Sequence, residues 1–232
     1  MIQIEQINQL QIGLDEPFHF RCRGCGKCCK NRDDVLLTPA DLFRIAKHFG
    51  KTPAEIINEY CDCYIGGTSR FPIVRLRPKG KTRACPFLVE KRCLVHKSKP
   101  TVCALYPLGR STATSEKDGI PEGPKYLLQE VDCGSRSKTM TVRKWLEKFN
   151  IPLHDEFQIM WHALISDASG FFRQLDSSVS KELLDEMQNA LGQSLYTKYD
   201  TSQDFLPQFE NNVESARELM AQIQPFLDEE TQ

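Results

Sequence analysis

The stretch FHFRCRGCGKCCKN, residues 18–31, sets four thiols within eight positions: Cys22, Cys25, Cys28 and Cys29. Arg21, Arg23, Lys27 and Lys30 stand among them, and Gly24 and Gly26 break the run. A loop this rich in sulfur and glycine cannot be an ordinary helix or strand. It reads as a tight turn folded around something, because glycine allows close backbone curvature and brings amides toward sulfur. Six further cysteines follow: Cys61, Cys63, Cys85, Cys93, Cys103 and Cys133.

A chain of 232 residues buries enough surface to fold without cross-links. Its ten cysteines therefore call for a reason other than a missing core. A secreted disulfide framework is disfavoured, since MIQIEQINQLQIGLDEP has neither a basic start nor a continuous apolar stretch. No run of about 18 apolar residues suggests a membrane span. The expectation is a cytoplasmic protein whose thiols remain available to metal.

Charge is unevenly spread. Residues 1–110 carry a balance of +9 and residues 111–232 a balance of −10, giving the net −1 of the chain. The basic half holds nine of the ten cysteines. Such a stretch suits an anionic partner or offsets the charge of ionised thiols, which must lose their protons to ligate a metal. The second reading covers more, because the cations sit between and beside the cysteines. Nucleic-acid binding is not expected.

Two metal chemistries fit the spacing. Zinc takes four N/S ligands, often as two C-x2–4-C pairs, and Cys22 with Cys25 makes one. Cys85 and Cys93 are too far apart in sequence for a second knuckle, although a hairpin would bring them together. Three thiols at C-x2-C-x2-C are the spacing from which a [4Fe–4S] cluster takes three ligands, the fourth coming from elsewhere. Cys22, Cys25 and Cys28 fit, with Cys85, Cys93, Cys103 or Cys133 as the remote ligand. The proline that follows the fourth cysteine in bacterial ferredoxins is missing here. Cys28 and Cys29, if extended, point apart, so Cys29 is expected to serve a second metal or pack inward. Cys61 and Cys63 are read as buried thiols at the end of a helix. His96, three residues after Cys93, is a further ligand candidate, and His19 a donor to a nearby sulfur. Asp132 is read as a group that orients a neighbour.

Helix signals are strong in two places. TPADLFRIAKHFG offers Thr38 as N-cap, Pro39 in the first turn, Asp41 at the third position and Gly50 as stop. TPAEIINEYC repeats this with Thr52, Pro53 and Glu55, making a two-helix hairpin. FPIVRLR reads as a strand, PKGK as a turn, and ACPFLVEKRCLVH as a hairpin turning at Glu90 and Lys91. PKYLLQEV suggests another strand and residues 111–124 a flexible loop. From residue 139 onward four amphipathic stripes predict helices, weakened locally at Gly170 and Gly192.

CRGCGKCC, CPFLVEKRCLVH and KPTVCALYPLG together resemble the YkgJ-type cysteine-cluster family, described as zinc- or iron-chelating. The family pattern is CxxCxxCC, then CPFL, then Cys-x-[IV]-[YH], then [RK]P-x-x-C-x-x-[YF]P. The resemblance covers roughly residues 18–135. It implies Cys22, Cys25, Cys28, Cys29, Cys85, Cys93 and Cys103 as metal ligands, with Cys133 matching a later family cysteine. Lys99 stands where arginine is usual. A related group, the flagellin lysine N-methylases, shares a similar cluster, which implies protein-lysine methyl transfer as a further alternative. No GxGxxG after a strand and no CxxxCxxC accompanies it.

The sequence therefore predicts an α+β protein, predominantly helical. A lead-in over residues 1–17 precedes a cysteine-rich metal-binding core of loops and short strands over 18–138. A helical region over 139–232 follows, expected to meet a protein partner. The function expected is chelation of iron, as an iron–sulfur cluster, or of zinc, the alternative being a zinc-stapled interaction module.

Overall fold

A computed structural model describes residues 10–111, 124–176 and 178–230. The loop expected at 111–124 lies almost wholly outside the described residues. Helix outweighs strand, and the sheets are small, so the class is α+β. No helix among the described residues is long and apolar enough to cross a membrane.

The chain forms two compact units that interleave in sequence. The first comprises Met1–Asn31, Phe87–Leu94 and Thr101–Asp155; the second comprises Arg32–Pro86, Val95–Pro100 and Glu156–Gln232.

In the first unit β1 (Gln11–Ile12) pairs antiparallel with β9 (Lys125–Leu128), which also pairs with β8 (Leu108–Ser111). A separate ribbon joins β2 (Pro17–Arg21) to β10 (Ser135–Thr141), with a bulge between Ser135 and Thr139. Along β2 exposure alternates, so Phe18 and Phe20 turn inward while Pro17, His19 and Arg21 face out, as a one-sided sheet requires. Two short helices complete the unit, α3 (Thr101–Leu105) and α4 (Val142–Lys148). Trp145 of α4 centres the core. Phe18 and Phe20 meet its ring edge-on at 5.9 and 5.7 Å, and its indole N–H donates to the carbonyls of Ala104 and Leu105 at 3.1 and 3.0 Å. The indole thus ties β2, α3 and α4 together and satisfies carbonyls at the end of α3 that would otherwise lack a partner. The hairpin β6 (Leu88–Val89) and β7 (Arg92–Cys93) pairs Leu88 with Cys93 and Val89 with Arg92. Glu90 and Lys91 make the turn, both at positive φ (48° and 64°), the backbone a two-residue hairpin needs.

In the second unit β5 (Pro72–Leu76) lies between β3 (Leu36–Leu37) and β4 (Cys61–Ile65), antiparallel to both. Helices α1 (Pro39–Phe49) and α2 (Pro53–Tyr60) begin where the sequence places them, each with a complete capping box: Thr38 with Asp41, Thr52 with Glu55. Gly50 closes α1 in the left-handed conformation. Three longer helices, α5 (Glu156–Leu175), α6 (Lys181–Thr197) and α7 (Phe205–Glu230), follow. Their core is aromatic: Phe157 meets Phe209 at 4.8 Å, and Trp161 meets Tyr196 at 5.6 Å and Phe71 at 5.4 Å. Gly192 is more than a weak point in α6. A Cβ there would stand 3.1 Å from Pro72 Cβ, so its small size lets α6 lie close against β5.

One expectation is corrected here. Cys61 and Cys63 do not continue α2; the helix ends at Tyr60 and CDCYI becomes β4. Pairing with β5 overrides the helical reading, since five residues from Cys61 to Ile65 find partners from Leu76 to Pro72. Cys61 is nonetheless buried, at 2% exposure, while Cys63 is exposed. Burial is the main cause that pushes the Cys61 thiol up to about 12. The folded value exceeds the ordinary one of 9.0. The stabilisation from holding a neutral thiol is thus complete below pH 9.0 and is lost as pH rises towards about 12. Cys61 is expected to be the last thiol alkylated by iodoacetamide near neutral pH, read by mass spectrometry over time. Early labelling of Cys61 in folded protein would contradict its burial.

Candidate metal centre

The cysteine loop is built from β2 outward. Arg21 ends the strand, and Gly24 and Gly26 both take positive φ (64° and 69°), bending the chain back twice. At the first bend the Gly24 N–H donates to Cys22 Sγ at 3.4 Å. After the second bend Lys27–Cys29 form one 3-10 turn. Leu88 of the hairpin packs over Gly26, where an added Cβ would stand 3.2 Å from Leu88 Cδ1.

The 3-10 turn corrects the expectation for the adjacent pair. Cys28 and Cys29 do not diverge; their sulfurs stand 3.9 Å apart. The reason is local. A 3-10 turn advances about 120° per residue, whereas the extended backbone assumed from sequence alternates by about 180°.

The loop after β9 brings a second segment. Lys27 Nζ donates to Asp132 Oδ2 at 2.9 Å and to the Asp132 carbonyl at 3.3 Å, clamping the cysteine loop to Cys133's neighbour across 105 positions of sequence. The neighbour that Asp132 holds is thus Lys27. Lys27 is raised above its ordinary pKa first by its hydrogen bond to Asp132, with smaller contributions from Cys25 and Cys133. Cys133 Sγ lies 3.2 Å from the Tyr106 hydroxyl. Burial raises the Cys133 thiol most, the Tyr106 hydrogen bond opposes this, and nearby Cys25, Cys28 and Cys22 raise it further. Cys133 therefore lies near the loop thiols Cys22, Cys25 and Cys28.

Gly134, next to Cys133, sits at φ 74°, and a Cβ there would come within 2.5 Å of Phe20 Cε2 and 2.8 Å of the Arg21 carbonyl. It allows the Cys133 loop to run against β2. Gly134→Ala is expected to lower metal retention without deleting a ligand, by displacing Cys133. Wild-type metal content in that variant would show that the position of Cys133 is immaterial.

The remaining candidates are placed as follows. Cys93 lies in β7, opposite Leu88; Cys103 lies in α3; both are half-buried. Cys85 and His96 belong to the second unit. His19 Nδ1 is 3.2 Å from Thr139 Oγ1, a hydroxyl in place of the sulfur expected. Cys22 and Cys25 are exposed. Among the described residues no three His, Cys, Asp or Glu side chains already stand at metal-bonding separation. Cys133 also forms part of the wall of an open cleft of about 660 Å³ between β1, β2 and the loop after β9. This gives the thiol group an approach from solvent. Tyr106 is the residue that sequence reading missed here; Lys27 was read only as one of the cations beside the thiols. Tyr106 lay inside the recognised YP element, but only the fold shows that it faces a sulfur.

Residues 21–124 match the model of the CxxCxxCC family, described as "Putative zinc- or iron-chelating domain". This segment is similar to a CxxCxxCC domain. It contains seven of the eight candidate ligands and excludes Cys133, and it draws on both compact units. No curated protein and no solved structure matches the chain. The family supports metal binding by the cysteines in general terms, with zinc or iron as the metal.

Proposed function

We propose that this CxxCxxCC protein holds an iron–sulfur cluster of the [4Fe–4S] type through Cys22, Cys25, Cys28 and Cys133. The observation that carries this reading is the Lys27–Asp132 clamp, which sets one remote thiol beside a C-x2-C-x2-C loop. Three closely spaced thiols and one distant one are the ligand set such a cluster takes. The donors are soft, as iron–sulfur and zinc sites require. Lys27 and the Gly24 amide supply positive charge and an N–H donor to ionised sulfur. When bound, a cluster of this kind supplies one-electron transfer. The chain's own residues hold the ionised sulfurs, and Tyr106 and Lys27 fix Cys133 and its loop.

Zinc is the second reading, and one distance favours it. Tetrahedral zinc with Zn–S bonds of about 2.3 Å places its sulfurs about 3.8 Å apart, close to the 3.9 Å between Cys28 and Cys29.

Metal and sulfide analysis of anaerobically purified protein separates the two. The cluster reading expects brown protein, broad absorption near ~400 nm, and about four iron and four sulfide per chain. Colourless protein with about one or two zinc per chain would replace it with the zinc reading.

A further inference from the structure

Nine arginines, from Arg32 to Arg217, each hold a carboxylate. The β2–β10 ribbon is different. Arg21, Arg136 and Lys138 on its strands, and Arg23 just beyond, are all exposed, and no ion pair is formed by any of them among the described residues. Their placement is not diffuse. Arg21 pairs in register with Ser135, the neighbour of Arg136, and the bulge between Ser135 and Thr139 carries Arg136 and Lys138 outward. His19 shares the exposed side of β2 with Arg21. Residues 17–31 and 133–141 contain no Asp or Glu. Of the acids that directly precede these stretches, Asp132 is paired with Lys27 and Glu16 accepts from the Gly13 N–H.

Lys27, the cation paired with Asp132, is not among these four. A chain that neutralises most of its arginines internally, yet leaves four cations together on one ribbon, keeps that face electropositive at a cost in self-repulsion. We propose that the β2–β10 ribbon is a docking face for an acidic segment of a partner protein, held beside the cysteine loop. Charge complementarity defines the occupant: carboxylates accept from guanidinium groups in paired hydrogen bonds. A nucleic acid fits less well, because the whole chain has net charge −1 and pI near 6.5, whereas nucleic-acid-binding domains are usually strongly basic.

The test uses the full-length protein and three fluorescent probes: a Glu/Asp-rich peptide, the same peptide with Gln and Asn, and a thymidine oligonucleotide of equal charge. The acidic peptide is expected to bind, to weaken as salt rises from about 50 to about 500 mM, and to lose about tenfold or more in affinity with Arg136→Glu plus Lys138→Glu. That double variant should keep wild-type metal content and Tm. Binding of the oligonucleotide as tightly as the peptide would overturn the proposal in favour of a polyanion site. Equal binding of the neutral peptide, or none of the acidic one, would overturn it outright. Metal loss in the double variant would assign these cations to the thiols instead. Salt-sensitive self-association seen by sedimentation, abolished in the double variant, would assign the face to the acidic half of a second copy. Peptide binding that survives in metal-free Cys25→Ala protein leaves this inference standing whatever the identity of the metal.

Discussion

Cys25→Ala and Cys133→Ala are each expected to purify with little or no metal, while Cys63→Ala retains the wild-type content. Cys25 stands one residue from the Gly26 bend, and Cys133 is the thiol that the Lys27–Asp132 clamp delivers to the loop. Removing either leaves three thiols of the proposed four, and a cluster or zinc ion held by three is readily lost. Cys63 sits in β4 and is not among the proposed ligands. Metal analysis by mass spectrometry reads all three variants. A Cys133→Ala protein with full metal would remove Cys133 from the ligand set. Full metal in Cys25→Ala would remove the loop itself. A chelator should act in the same direction, lowering Tm of the wild type, because metal binding free energy is coupled to folding. An unchanged Tm after confirmed metal removal would show that the first unit stands without its centre.

Trp145→Ala should be the most damaging single change to the first unit, costing about 3–5 kcal/mol. The indole is 2% exposed and meets Phe18, Phe20 and Phe149 at ring distances between 5.2 and 5.9 Å. Alanine removes those contacts and leaves the Ala104 and Leu105 carbonyls without their indole donor, which adds the cost of buried unsatisfied acceptors. Trp145→Phe keeps much of the volume and loses the N–H, so it should fall between wild type and alanine. Urea unfolding of the three proteins, monitored by circular dichroism, checks the order. A Phe variant as stable as wild type would mean that the two carbonyls do not need the indole. The consequence for function is direct, because β2 leads into the cysteine loop and α3 carries Cys103.

How far the chain could be read in advance depended on the range of the interactions. Thr38, Asp41, Thr52 and Glu55 declare their helix starts within four residues, since a capping box is local chemistry. The turn at Glu90 and Lys91 was equally local. The strand at Cys61–Ile65 was not, because its alternative as helix is decided by β5, which lies beyond the intervening turn. The strand Ser135–Thr141 was missed for the same reason: SRSKTMT has little apolar alternation, and its partner β2 is more than a hundred positions away.

Cysteine spacing alone marked the 22–29 loop as a candidate for soft-metal chemistry, because ligand geometry restricts how closely three thiols can be spaced on one turn. Only the tertiary structure decided that Cys133 joins that loop, that Cys28 and Cys29 lie on neighbouring sides of one turn, and that Cys61 is sealed inside a sheet. Those outcomes rest on a salt bridge, a backbone twist and a strand pairing. The salt bridge links residues 105 positions apart, and such a contact arises only when folding closes the loop between them.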